Sequence, residues 1–227
     1  MNNPGGIMRM KKKYSKTQSE HTAWHQLFRA LVERIEEYDD PPKDTGYWYG
    51  ERALTGFLAA AAWALPGGWS LEEFTGLRVN GKKQGSGRGD LWVGMGTKKK
   101  VEYTIEAKAV WPGGSVENAA KGAETKLSDA SRQLRQLHKT YRAGKPVAIC
   151  YIIPALNTKG KFASSVSVDE FFTTMPKLMS NEHTVAASFW YDQAPPRHSG
   201  HIYPGVVVVA RILRWLRFFR QNPSVHK

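Results

Sequence analysis

Gly87-Arg-Gly-Asp90-Leu-Trp-Val93, followed after a glycine-containing loop by Tyr103-Thr-Ile-Glu106-Ala-Lys108, is the stretch on which the reading of this chain turns. Side chains on a strand alternate between faces, so Thr104, Glu106 and Lys108 share one face while Tyr103, Ile105 and Ala107 share the other. Residues 90–93 read as a second short strand, and Gly94-Met-Gly-Thr-Lys-Lys-Lys100 as the loop of a longer hairpin. A hairpin symmetric about Lys98 sets Glu106 opposite Asp90, with Cβ atoms ~5 Å apart. Two ionised carboxylates at that distance repel each other, and a hard divalent cation with oxygen ligands relieves the repulsion. Magnesium is the expected ion. Lys108 lies roughly 6 to 7 Å further along the same face, within reach of a bound water or a phosphate. Such a set can activate water and neutralise charge on a phosphodiester. The competing reading is a surface hairpin with a cross-strand salt bridge.

Upstream, a helix is expected over residues 49–65, stopped by Pro66-Gly-Gly68. Leu54, Leu58, Ala61 and Leu65 make its apolar stripe, and Glu51 heads that stripe instead of the solvent face. An acid in a first turn complements the helix dipole. An inward glutamate also needs a partner.

Glu51 on a helix, Arg88-Gly-Asp90 on one strand and Glu106-Ala-Lys108 on the next together resemble the PD-(D/E)XK nuclease superfamily, the restriction-endonuclease-like fold. The resemblance covers residues 47–154, and Gly89 stands where the family's name has proline. It implies an α/β fold with an αβββαβ core, a mixed central sheet flanked by helices. It implies Asp90 and Glu106 as metal ligands, the Ala107 carbonyl as a third, Lys108 as the catalytic lysine, and Glu51 as a further ligand or a support for the ligands. Several branches of the superfamily place a glutamine on the helix that follows, for which Gln133 is the first choice here and Gln136 the alternate. The implied activity is divalent-metal-dependent hydrolysis of nucleic acid, a DNA endonuclease in the first instance, using Mg²⁺ with Mn²⁺ as a substitute. Many members act as dimers, so a homodimer is a further expectation. The alternative is a nucleic-acid-binding protein on the same fold with little or no catalysis, and a third reading makes the charged face a salt-bridge network in a scaffold.

Composition agrees with a polyanionic partner. Thirty-three Lys and Arg against 20 Asp and Glu give a formal net charge of +13 over 227 residues, which suits nucleic acid. Hydrophobic residues at 41%, with eight Trp, suffice for a substantial core in one domain. Cys150 is the single cysteine, so an intrachain disulfide and a cysteine-rich zinc site are both excluded. No apolar run approaches the ~20 residues needed to span a bilayer, and no apolar segment follows the basic Lys11-Lys-Lys13 in the manner of a signal peptide. A cytoplasmic, intracellular protein without membrane attachment is expected.

Along the chain, residues 1–18 read as a flexible basic arm and residues 19–227 as a single domain, with the core at 47–154 and a C-terminal elaboration at 155–227. A helix over 20–38 carries Trp24, Leu27, Phe28, Leu31 and Ile35 on one face. Tyr47-Trp-Tyr49 is read as core. A strand at 76–80 leads into the glycine-rich basic loop 81–88, where Lys82, Lys83 and Arg88 can hold a phosphate; the loop lacks the ending of a nucleotide-binding P-loop. Ser115 caps a helix running to Tyr141, on which Arg132 and Arg135 belong to a basic, phosphate-contacting or solvated face. Residues 146–153 are a continuous apolar run and read as a buried strand. A short helix after Ser167, strands at 184–191 and 206–209, and a basic amphipathic helix over 211–220 complete the expectation.

Overall fold

The computed structural model describes residues 7–11, 18–39, 44–80, 83–96, 100–112, 115–137, 144–156, 166–179, 184–191, 197–198 and 201–213. In chain order the elements are β1 (Ile7–Lys11), α1 (Gln18–Tyr38), a 3₁₀ turn (Gly46–Tyr49), α2 (Glu51–Ala64), β2 (Trp69–Asn80), β3 (Lys83–Met95), β4 (Val101–Val110), α3 (Val116–Gln136), β5 (Lys145–Ile152), α4 (Val168–Met179), β6 (Thr184–Trp190), the two-residue strands β7 (Arg197–His198) and β8 (His201–Ile202), and β9 (Gly205–Ile212). From α2 to β5 the succession is helix, three strands, helix, strand.

Among the described residues, seven strands form one mixed sheet in the order β1-β6-β9-β5-β4-β3-β2. The β4–β5 pair is parallel and joined through α3, as a parallel pair requires a crossover. The other pairs are antiparallel. Alternation sorts the side chains into two apolar layers. Ile105, Ala107, Val147, Ile149 and Tyr151 face α1 and α2, where Trp24, Leu27, Leu54 and Leu58 are fully buried. Ala148, Cys150 and Ile152 face α3 and α4, against Leu127, Ala130, Phe172 and Met175. β5 is thus buried on both faces, the physical reason its sequence shows no polar alternation. No helix among the described residues is long and apolar enough to cross a membrane.

Several elements agree with the sequence reading. Ser115 Oγ accepts the Asn118 N–H at 3.3 Å and caps α3, and Ser167 Oγ accepts the Glu170 N–H at 3.1 Å ahead of α4. Tyr47 is fully buried and donates its hydroxyl to the Tyr203 carbonyl. Tyr49 is instead 56% exposed, because the 3₁₀ turn ends there and turns its ring outward.

Four expectations need correction. Residues 7–11, read as part of a flexible arm, pair antiparallel with β6 from Ile7↔Trp190 to Lys11↔Ala186, so an edge strand lies where the basic composition suggested none. The strand placed at 76–80 begins at Trp69, and the supposed loop 81–88 is mostly β3: Lys83 pairs with Asn80 and Arg88 with Thr75. Glycines that read as a loop are tolerated because cross-strand hydrogen bonds need no side chains. α3 ends at Gln136 instead of Tyr141, with Leu137 already at φ −59 and ψ 130. Arg211 and Ile212, placed on a C-terminal helix, belong to β9, where pairing with both β5 and β6 overrides helical periodicity. Lys82, Lys98 and residues 214–227 lie outside the described residues.

Candidate active site

The site occupies a fork in the sheet. The β3–β4 ladder runs from Met95↔Val101 to Leu91↔Ile105, the register of a hairpin symmetric about position 98. Its next step would set Asp90 against Glu106, but pairing stops one residue short. The β2–β3 ladder lapses at the same point, passing from Glu72↔Leu91 to Phe74↔Gly89 without joining Glu73 to Asp90. Asp90 therefore sits where the β3–β4 ladder ends and the β2–β3 ladder skips a pair.

The divergence exposes amide donors of β4 that no strand takes, and unpaired buried amides are costly. Carboxylates take them instead. Asp90 Oδ2 accepts the Ala107 N–H at 2.7 Å, and Glu51 Oε2 accepts the Ala109 N–H at 3.1 Å. Glu51 can do this because it opens α2: the buried Leu54, Leu58 and Ala61 hold that helix on the sheet and aim its first turn at the gap. Glu51 is a first-turn acid, and its carboxylate reaches the Ala109 amide of β4.

Lys108 draws the group together. Its Nζ donates to the Ala107 carbonyl at 2.7 Å and to Glu106 Oε1 at 3.2 Å. Glu51 Oε1 at 3.7 Å and Asp90 Oδ2 at 3.9 Å complete its surroundings. Glu106 is only 2% exposed and so depends on this ammonium, whereas Glu51 and Asp90 are open to solvent. Three carboxylates around one ammonium leave a net negative site, which favours a further cation.

A cleft of about 580 Å³ leads in, lined by Glu51, Arg52, Thr55, Glu72, Glu73 and Asp90. Arg52 and Arg88 both ion-pair with Glu73 at its wall, the Arg88 contact measuring 2.8 Å. The two guanidiniums hold the Glu73 carboxyl below the ordinary carboxylate range. Beneath the site, Tyr151 pairs in register with Ala109, and Cys150 with Lys108. Burial pushes the Cys150 thiol up to about 12, with Lys126 opposing and Glu51 and Glu124 reinforcing. Burial likewise raises Tyr151, against Thr55 and with Asp90 and Glu51 adding to the rise.

Asp90, Glu106, Ala107, Lys108 and Glu51 are thus brought together. Gln133 stands half-buried on α3, its Oε1 shielded from solvent, on the helix that covers β4 and β5. Arg132 is exposed and tied to Asp129 at 2.7 Å, and Arg135 is exposed in the last turn of α3. Lys83 lies on β3 opposite Asn80.

Sequence reasoning missed Arg52, Thr55, Glu72 and Glu73. The trace it could have followed is Glu72-Glu73, two consecutive acids that break the polar–apolar alternation where the β2–β3 ladder lapses.

The donors around Lys108 Nζ are of the kind a hard cation takes, three carboxylates and a carbonyl, all oxygen. Among the described residues, no three His, Cys, Asp or Glu groups stand close enough together to hold a metal ion by themselves. Their common neighbour is the Lys108 ammonium. Compared with known proteins, the chain matches no family model, no curated protein and no solved structure.

Proposed function

We propose that this chain is a divalent-cation-dependent nuclease that hydrolyses phosphodiester bonds, with DNA as its substrate, on a restriction-endonuclease-like αβββαβ core. The observation that carries the reading is the convergence of Asp90, Glu106, the Ala107 carbonyl and Glu51 on Lys108 Nζ at the mouth of an open cleft. The succession α2-β2-β3-β4-α3-β5 and the mixed sheet support it.

Asp90, Glu106 and the Ala107 carbonyl would hold Mg²⁺ or Mn²⁺, with Glu51 as a further oxygen donor. When bound, the ion supplies Lewis acidity toward water and phosphate. The chain's own residues do the rest. The Asp90 and Glu51 carboxylates are fixed by backbone amides, so their positions need little reorganisation. Lys108 provides a positive charge that can pass from Glu106 to the phosphoryl oxygens as their charge builds. Gln133 on α3 is assigned to positioning the phosphate or water, and Arg88, Arg132 and Arg135 to the nucleic-acid backbone. A module that bound DNA without cutting it would gain nothing from three carboxylates beside the phosphates, which they repel.

The test is cleavage of supercoiled and linear DNA by purified protein in Mg²⁺ or Mn²⁺. Turnover is expected with either ion, binding without turnover in Ca²⁺, and loss of cleavage in Asp90→Ala and Lys108→Ala. Metal-dependent cleavage unchanged in both variants would overturn the site assignment. Salt-sensitive DNA binding with no cleavage under any ion would replace the nuclease by a binding module.

A further inference from the structure

Glu73 stands out by its backbone. It has φ +47, the only positive φ at a non-glycine among the described residues. For a glutamate this is a strained conformation, and strain of this kind is found where function requires it. It falls opposite Asp90, at the one step the β2–β3 ladder skips between Glu72↔Leu91 and Phe74↔Gly89.

The strained backbone delivers the carboxylate to two arginines from different elements. Arg52, one residue after Glu51 in the first turn of α2, binds Oε1 through Nη2. Arg88, two residues before Asp90 on β3, binds Oε2 through Nη1 at 2.8 Å. Each guanidinium thus takes a different oxygen of one anion. That is how two arginines hold the non-bridging oxygens of a phosphodiester. The arginines come from the residues that flank Glu51 and Asp90 in sequence, and Arg52, Glu73, Glu51 and Asp90 line one cleft. Both arginine side chains are well exposed, and exposed ion pairs contribute little stability, so the carboxylate is readily exchanged for another anion.

We propose that Arg52 and Arg88 form a phosphate clamp beside the carboxylate–lysine site, and that Glu73 is an internal carboxylate occupying the clamp until a backbone phosphate displaces it. The assignment of the anion to nucleic acid rests on the nuclease reading; the clamp itself takes any phosphate. Seating a phosphate between the guanidiniums holds the neighbouring phosphodiester near Lys108. The released Glu73 leaves its strained pairing at the same moment. Recognition through non-bridging oxygens is independent of base sequence.

Two probes, inorganic phosphate and a short labelled DNA duplex, are titrated in chelator at low salt. Glu73→Gln is expected to bind both roughly three- to fivefold more tightly, the affinity equivalent of the two weak, exposed ion pairs released. Glu73→Gly, which accepts a positive φ without strain, is expected to show the same gain should the glutamine variant fold poorly. Glu72→Gln removes the same charge from the same cleft but frees neither Arg52 nor Arg88, and is expected to gain far less. Arg52→Lys with Arg88→Lys keeps the charge, loses the planar fork, and is expected to abolish the gain. The clamp is overturned if Glu73→Gln binds phosphate no more tightly, if Glu72→Gln gains as much, or if the gain survives in the double-lysine background. A gain in phosphate affinity with no cleavage by the wild type supports the clamp and overturns the nuclease reading. Cleavage without that gain does the reverse.

Discussion

Asp90 Oδ2 accepts the Ala107 N–H at 2.7 Å, filling with a side chain the place that strand β3 vacates one residue beyond Leu91↔Ile105. The contact separates two duties of one carboxylate, since one oxygen secures the fork while the group as a whole supplies negative charge to the site. Asp90→Asn keeps an oxygen acceptor for Ala107 and removes the charge. It is expected to lower DNA cleavage at least about a hundredfold while costing less stability than Asp90→Ala, which leaves the amide without its acceptor at about 1–3 kcal/mol. Parallel cleavage assays and urea titrations check this; equal stability of the two variants would remove the structural duty.

Glu106 and Lys108 are coupled through burial. Glu106 is 2% exposed and its carboxylate meets the ammonium at 3.2 Å. Lys108→Met should cost about 3 kcal/mol by removing the ammonium from a buried carboxylate, and adding Glu106→Gln should restore much of it. Activity is expected to be absent in the single and the double variants alike. A double variant as unstable as Lys108→Met would show that the two do not depend on each other.

Gly89 lies against the Phe74 ring across the β2–β3 ladder. A Cβ built on Gly89 falls 2.2 Å from the Phe74 ring, which lies across the β2–β3 ladder. Gly89→Ala should therefore cost about 1–3 kcal/mol through overpacking, and Phe74→Leu in the same chain should recover part of it. Thermal denaturation of Gly89→Ala, Phe74→Leu and the double variant measures the coupling. Full tolerance of alanine in the native background would contradict it.

Stability should fall in alkali. Burial raises the Cys150 thiol from an ordinary value of 9.0 to about 12. Below pH 9 the thiol is protonated in both states and contributes no pH dependence. Above it the unfolded chain releases a proton that the folded chain keeps, so the folded state loses stability as pH climbs toward 12, approaching about 1.4 kcal/mol per unit from this group. Tyr47, Tyr151 and Tyr191, also raised by burial, add to the loss above about pH 10. Urea titrations at pH 7.5, 9 and 10 should show the decline. Cys150→Ala should flatten it between 9 and 10, and an unchanged slope would exclude the thiol.

Much of the architecture was legible because periodicity reports local burial. The α1 stripe of Trp24, Leu27, Phe28, Leu31 and Ile35 is buried throughout, and the apolar run at 146–153 is the doubly buried β5. The hairpin symmetry that set Asp90 toward Glu106 matches the observed register, since turn length and alternation are local quantities. Less legible were segments whose structure depends on a distant partner. Residues 7–11 become a strand because β6 offers an open edge, and Arg211 joins β9 because β5 and β6 lie on either side.

Local patterning already specified the types of element around the site, the face shared by Glu106 and Lys108, and the register that sets Asp90 toward them. Those follow from strand periodicity and hairpin symmetry, which act over a few residues. Long-range packing ends the β3–β4 ladder at Leu91↔Ile105, skips the Glu73–Asp90 pair between β2 and β3, carries Glu51 from α2 to the Ala109 amide, and brings Arg52 and Arg88 together on Glu73. Each of these is an amide or a charge finding its partner across a gap in the sheet. A partner 58 residues away in the chain, as Glu51 is from Ala109, leaves no mark in local spacing.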